Sequence, residues 1–164
     1  MISLADWLSL ARNPWALGAL GVFFILIAGL DLKYRLIPNI LVFPAMVVVM
    51  FASLFAPFVD LRSMVLGGIF GLLLFALVAY LRPGTLGGGD VKLAALIGLL
   101  FGFPSSIWAL LIGILAGGMV ALGLVLTRRG TGATQMPYAP FLCLGVLVAL
   151  IYNPFWYWMS VGQR

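Results

Sequence analysis

Residues Ser106 to Leu126, SIWALLIGILAGGMVALGLVL, form an uncharged apolar run, as long as the about 20 residues a helix needs to cross a bilayer. The rest of the chain reads the same way. Of its 164 residues, 65% are hydrophobic and 8% are charged, and the mean hydropathy is +1.24, far outside the range of ordinary soluble domains. Pro, Gly and charge clusters divide the chain into six candidate spans, near 14–30, 38–57, 63–81, 91–103, 106–126 and 138–158. The expected fold class is all-α: a polytopic membrane protein, a bundle of six transmembrane helices in one domain over residues 1–164. The longest polar connection, Thr127 to Pro137, is of loop length and leaves no room for a soluble domain.

Charge placement orients the bundle. If both termini share a face, one side holds Lys33, Arg35, Arg82, Lys92, Arg128 and Arg129, and the other only Arg12, Arg62 and Arg164. The positive-inside bias makes the first side cytoplasmic and places both termini outside the cell's inner membrane. The net charge of +5 follows from this topology and calls for no nucleic-acid partner. The start of the chain is no secretory signal, since Asp6 stands where a basic region would be expected. Ile2 to Leu10 are expected to lie at the membrane surface, with Trp7 toward lipid and Arg12 in water.

Several chemistries are excluded by composition. The chain has no histidine and one cysteine, Cys143, so a His/Cys zinc site, a Ser/His or Cys/His pair and an intrachain disulfide cannot form. Cys143 sits in an apolar stretch as a packing residue. A serine-lysine dyad stays formally open, though no serine stands in a comparably special context. Of the chain's four acids, Asp6 and Asp60 have polar terminal or loop settings. The other two stand beside unusual backbone. Asp90 follows a glycine triplet in Gly87-Gly88-Gly89-Asp90-Val91-Lys92, and Asp31 ends the first apolar run ahead of Arg35, Pro38 and Asn39.

Each of these acids has a structural explanation to weigh. Asp90 could cap the next helix, and Asp31 could pair with Arg35 four residues on if its helix continues. Such a surface pair adds only a few tenths of a kcal/mol, whereas an acid at membrane depth is costly and suggests function. The run Val91 to Phe103 is also short for a span. The glycine run is therefore expected to dip into the membrane, where irregular backbone is tolerated only beside an enclosed, water-accessible cavity. Two carboxylates brought together share a proton and titrate as a pair. One can then activate water while the other donates a proton to a peptide carbonyl and later to the leaving nitrogen, with no metal or cofactor. Lys92 is read either as a group that acts on the pair or on a substrate carbonyl, or as a lysine snorkelling to the surface. Pro38 and Asn39 bound the second helix, with proline in its first turn, and Arg82-Pro83-Gly84 stops the third.

Together these residues resemble the type IV prepilin peptidases, intramembrane aspartyl proteases of the GxGD type. Gly87-Gly88-Gly89-Asp90-Val91-Lys92 matches the second motif of that family, and Asp31 with Arg35, Ile37, Pro38 and Asn39 matches the first. Met136-Pro137-Tyr138-Ala139-Pro140-Phe141, with Gly145, is similar to the family's proline-containing start of its last helix. The resemblance covers nearly the whole chain. It implies cleavage of the short basic leader of a prepilin-like protein at the cytoplasmic face, just before the substrate's hydrophobic helix. Asp31 and Asp90 are implied as the catalytic pair, with Gly87, Gly89, Lys92, Arg35, Pro38 and Asn39 supporting them.

Longer members of that family carry a cytoplasmic domain, often with paired cysteines, and also methylate the new N-terminus. Neither that length nor those cysteines occur in this sequence, so cleavage without methylation is expected, as in the short form that accompanies tight-adherence (Flp) pilus systems. Archaeal preflagellin peptidases are a related alternative. From other classes, a small ion-coupled transporter using Asp31 and Asp90 predicts a two-fold internal repeat, for which the sequence offers no convincing pairing. A silent scaffold leaves the paired motifs without a reason. Gly67/Gly71, Gly98/Gly102 and Gly113/Gly117 put small residues on single helix faces and are read as packing within one chain, with dimerisation the minor alternative. A bundle this rich in glycine is also expected to open sideways between its third and fourth helices to admit a substrate helix.

Overall fold

The structure, a computed structural model, describes residues 14–55, 59–81, 86–127, 137–152 and 154. The expectations for Ile2 to Leu10, Asp6, Arg12, Arg82-Pro83-Gly84, Arg128, Arg129, Met136 and Arg164 fall outside the described residues. Within them the chain is all-helical: α1 Pro14–Tyr34, α2 Asn39–Phe55, α3 Leu61–Leu81, α4 Gly88–Phe101, α5 Ser105–Leu126 and α6 Ala139–Ile151.

Two boundaries differ from expectation in ways that matter for the site. Helix α1 runs past Leu30 to Tyr34, because no glycine or proline interrupts it there and a single carboxylate does not break a helix. The break comes at Arg35, whose φ is 52°. Asp31 thus lies inside the last turns of α1 rather than ending it. Helix α4 begins at Gly88, so the glycine run enters the helix itself. Its other end is set by Gly102, whose φ of 67° is the left-handed conformation that glycine adopts without strain.

Three segments, Trp15–Tyr34, Leu61–Leu81 and Ser105–Leu124, are long and apolar enough to cross a membrane. Their outward faces carry exposed residues such as Leu26, Leu73 and Leu122. In water an apolar surface this continuous would associate, but against lipid it is the matching solvent. The protein is a membrane protein on this reading of its surface.

The helix at the centre of the packing is α4. At 14 residues it spans about 21 Å, less than the about 30 Å hydrocarbon core. It is enclosed by α2, α3, α5 and α6, with Leu93, Ala94, Leu96 and Ile97 fully buried. A helix apolar on all sides belongs in such an interior. Lipid supplies no hydrophobic drive for helices to associate, so the packing depends on close approach. Gly98 of α4 lies against the carbonyl of Gly67 on α3, and Gly71 lies against the carbonyl of Ala94. A second backbone-level contact sets α5 on α6, where Gly113 faces Leu142 and Gly145 faces the carbonyl of Ala109. The three glycine pairs noted in the sequence therefore face partners within this chain. The start of α3 is tied to the α4–α5 turn by two hydrogen bonds, Phe103 N–H to the Ser63 carbonyl at 2.8 Å and the Ser63 hydroxyl to the Phe103 carbonyl at 2.7 Å.

A Cβ added at Gly98 has to push α3 and α4 apart. Gly98→Val is expected to destabilise the fold by about 1–3 kcal/mol or more through overpacking. Gly18→Ala, inside α1 where a Cβ meets nothing within 4 Å, is expected to cost no stability and to add up to about 1 kcal/mol. Thermal melting of the detergent-solubilised variants checks the contrast.

Candidate active site

Asp31 and Asp90 come from helices that are distant in sequence, and both line one cavity of about 440 Å3. Arg35, Asn39, Gly87, Gly89 and Lys92 line it as well. Of the residues expected to support the pair, Pro38 alone is outside the lining. Its carbonyl accepts the N–H groups of Leu41 and Val42 at 3.0 and 3.3 Å, so it stands just ahead of α2 rather than in its first turn, and its task is to start that helix.

Asp90 is the third residue of α4, not its cap. Gly87 takes the cap position in extended conformation, with φ −78° and ψ 147°. A reciprocal ring closes the turn: the Asp90 N–H donates to the Gly87 carbonyl at 3.0 Å, and the Gly87 N–H donates to Asp90 Oδ2 at 3.2 Å. This is the reaching-back half of a capping box, and it fixes one carboxylate oxygen. The other, Oδ1, is buried with no hydrogen-bond partner among the described residues. Buried polar atoms are nearly always paired, so an oxygen left over beside a cavity is one that a reacting molecule can use.

The glycines of this run are not equivalent. A Cβ at Gly89 would meet Cβ of Ile37 at 2.8 Å, one at Gly87 would lie 3.4 Å from Asp90 Oδ2, and one at Gly88 would meet nothing within 4 Å. Gly89 thus lets the α1–α2 connection lie directly on the first turn of α4, which brings the first motif to the second. The position between the two constrained glycines is open.

Asp31 is held from a third direction. Its Oδ2 accepts the N–H of Ala139 at 3.3 Å, the first residue of α6. The first N–H groups of a helix have no partner within it, and the positive end of its dipole favours an anion. The start of α6 is itself fixed by Tyr138, whose hydroxyl donates to the Ile114 carbonyl at 3.2 Å. Its ring occupies the space beside Gly117, where a Cβ would come within 2.7 Å of it. Sequence reasoning marked Pro137 to Phe141 as a helix start and Gly117 as a packing residue, but missed that they orient Asp31. Pro140 in the first turn signals a helix N-terminus, yet nothing local says where its free amides point.

The cations also settle differently from expectation. The Asp31–Arg35 pair needs both residues in one continuous helix, and the left-handed turn at Arg35 takes it off that face. Lys92 is neither free nor simply snorkelling: its Nζ donates to Asn39 Oδ1 at 2.9 Å and lies 5.2 Å from the centre of the Phe43 ring. The second motif is thereby tied to the start of α2. Among the described residues no cluster of three or more His, Cys, Asp or Glu occurs that could hold a metal ion.

A family described as the Type IV leader peptidase family matches residues 18–122, a stretch that contains Asp31, the α1–α2 connection, the glycine run and Asp90. The chain is similar to the prepilin leader peptidase/N-methyltransferase of Bacillus subtilis (strain 168), with 31% identity over 129 residues, 79% of this chain and 52% of that protein. It is also similar to the proteins of the same name from Aeromonas hydrophila, at 29% over 160 residues (93% of this chain, 55% of that one), and Pseudomonas aeruginosa, at 28% over 131 (76% and 44%). The chain spans about half the length of the curated relatives it matches. No solved structure matches it.

The link between Lys92 and Asn39 is testable apart from any activity. In a double-mutant cycle of Lys92→Met and Asn39→Leu, the coupling in unfolding free energy is expected to be about 0.5–1.5 kcal/mol, the net worth of one hydrogen bond. Strict additivity would show that the two residues do not hold each other.

Proposed function

The chain belongs to the type IV leader peptidase family, and on that premise we propose that it is an aspartic endopeptidase that removes the leader of a prepilin-like protein, with Asp31 and Asp90 as the catalytic pair. The observation that carries the proposal is the meeting of these two carboxylates in one cavity, with Asp31 anchored by the Ala139 amide and Asp90 left with one oxygen unpartnered. The names of the relatives join a peptidase to an N-methyltransferase; the proposal concerns the peptidase.

In the mechanism one aspartate is ionised and the other protonated, as a close carboxylate pair prefers. The ionised carboxylate takes a proton from a water whose oxygen attacks the scissile carbonyl carbon. The protonated partner gives its proton to the carbonyl oxygen, forming a tetrahedral diol. As the C–N bond breaks, a proton passes to the leaving nitrogen and the carbonyl re-forms, which returns one proton to the pair. Gly87 N–H and Ala139 N–H hold one oxygen of each carboxylate, so the pair keeps its orientation through the cycle. Arg35 lines the same cavity and adds positive charge to its wall.

The six helices act as six membrane spans of a single peptidase unit in the inner membrane. Lys33, Arg35 and Lys92 stand at the same ends of their helices as the two aspartates. The positive-inside bias supports a cytoplasmic site, where a basic leader would remain, and external termini.

Co-expression with a prepilin tests the proposal. Asp31→Asn and Asp90→Asn keep size and polarity but remove the acid, and each is expected to lower leader cleavage by about 10²–10⁴-fold or more. Immunoblotting of processed against unprocessed prepilin, with enzyme levels in the membrane checked, measures it. Full processing by either variant would sink the pair as the catalytic group.

A further inference from the structure

Apart from the aspartate cavity, the described residues form a second concave feature. Two neighbouring apolar cavities of about 370 and 180 Å3 share Leu20, Val48, Val49 and Leu100. They make one trough between α1 and α2, floored by α4. It exists because α1 packs on α6 and α2 on α4, rather than closely on each other. The lining is apolar apart from Ser53, whose hydroxyl is already used by the Met50 carbonyl at 2.8 Å.

The trough has a direction. Ile37 and Asn39 line the aspartate cavity, and Ile40 and Leu41, the next residues on α2, line the trough. The lining thus passes from polar cavity to apolar trough between Asn39 and Ile40, neighbours on α2, and the trough's α2 wall includes the exposed Ile40 and Val48. From Ile40 to Ser53 the trough is about 20 Å long, at 1.5 Å per residue. Ala16, Ala19, Ala45 and Ala52 along its walls are small enough to let another helix come close.

We propose that this trough seats the hydrophobic helix of the substrate, running from the aspartates along α2, so that about 13 residues after the cut bond lie against α1, α2 and α4. The assignment rests on the peptidase reading, in which the bond cut lies just before an apolar helix. A polar cavity bordering an apolar trough is the arrangement such a junction needs: the extended leader end in the first, one face of the helix in the second. The trough then sets the register of the bond, because the helix cannot slide without moving its side chains out of the alanine-lined walls. On this geometry the substrate comes in beside α1 and α2, and the α3–α4 contact stays closed.

Site-specific photocrosslinking tests the occupant. The photoreactive residue p-benzoylphenylalanine is placed at Ile40, at Val48 and, for comparison, at Leu73 on the exposed face of α3, in an Asp90→Asn background that leaves the co-expressed prepilin uncut. Adducts that map to the prepilin's hydrophobic helix are expected from Ile40 and Val48 and not from Leu73. Adducts from Leu73 instead, or lipid adducts alone from Ile40 and Val48, overturn the assignment. With Asp90 intact, Val48→Trp is expected to lower cleavage about tenfold by overfilling the trough, whereas Leu73→Trp leaves it unchanged; equal cleavage by both also overturns it. The unsubstituted chain separates the two claims. If it leaves the prepilin whole, the peptidase reading falls and the occupant with it; if it cuts while the crosslinks fail, only the trough assignment falls.

Discussion

The contact on which the rest depends is backbone against backbone, Gly98 of α4 on Gly67 of α3 with Gly71 on Ala94 beside it. A helix of 14 residues that begins with an acid and a lysine is a poor element to leave in lipid, since it neither crosses the core nor hides its polar end. Enclosure by protein removes both difficulties, and the glycine contact makes enclosure possible without a hydrophobic drive. Once α4 is seated on α3, the helices α2, α5 and α6 close around it. Asp90 is thereby fixed at one end of the buried helix.

The same logic of close approach builds the site from the other side. Gly89 allows the α1–α2 connection to touch the first turn of α4, and Gly117 admits the Tyr138 ring that positions the start of α6. The consequence is a convergence of helix ends: the end of α1 with Asp31, the start of α4 with Asp90, the start of α2 with Asn39, and the start of α6 with the Ala139 amide. Helix termini carry the unpaired amides and carbonyls of the backbone. Collecting them at one depth gives a polar cavity inside an apolar bundle with few polar side chains.

The two aspartates, the proposed catalytic pair, are positioned by backbone amides more than by side-chain partners. Gly87 and Ala139 each donate one N–H to a different aspartate, and Asp90 Oδ1 is left without a partner among the described residues. The cations Arg35 and Lys92 are set at the cavity wall rather than against the carboxylates. The apolar trough begins at Ile40, one residue beyond Asn39 of this cavity, so on the proposed reading chemistry and substrate placement would share the start of α2.

The sequence by itself determined the class of the fold, because apolar runs of spanning length broken by Gly, Pro and charge are a local property that needs no partner to be read. It also singled out Asp31 and Asp90, since acids are rare in this chain and each stood beside backbone of unusual composition. Family resemblance tied the two motifs together. What it did not determine were facts about distances between segments far apart in the chain. The continuation of α1 through Asp31, the ring between Gly87 and Asp90, the Lys92–Asn39 bond and the Ala139 amide on Asp31 were decided by tertiary structure. The physical reason is that a helix end states that it has free amides, while only the packing of glycine-lined faces states what those amides will meet.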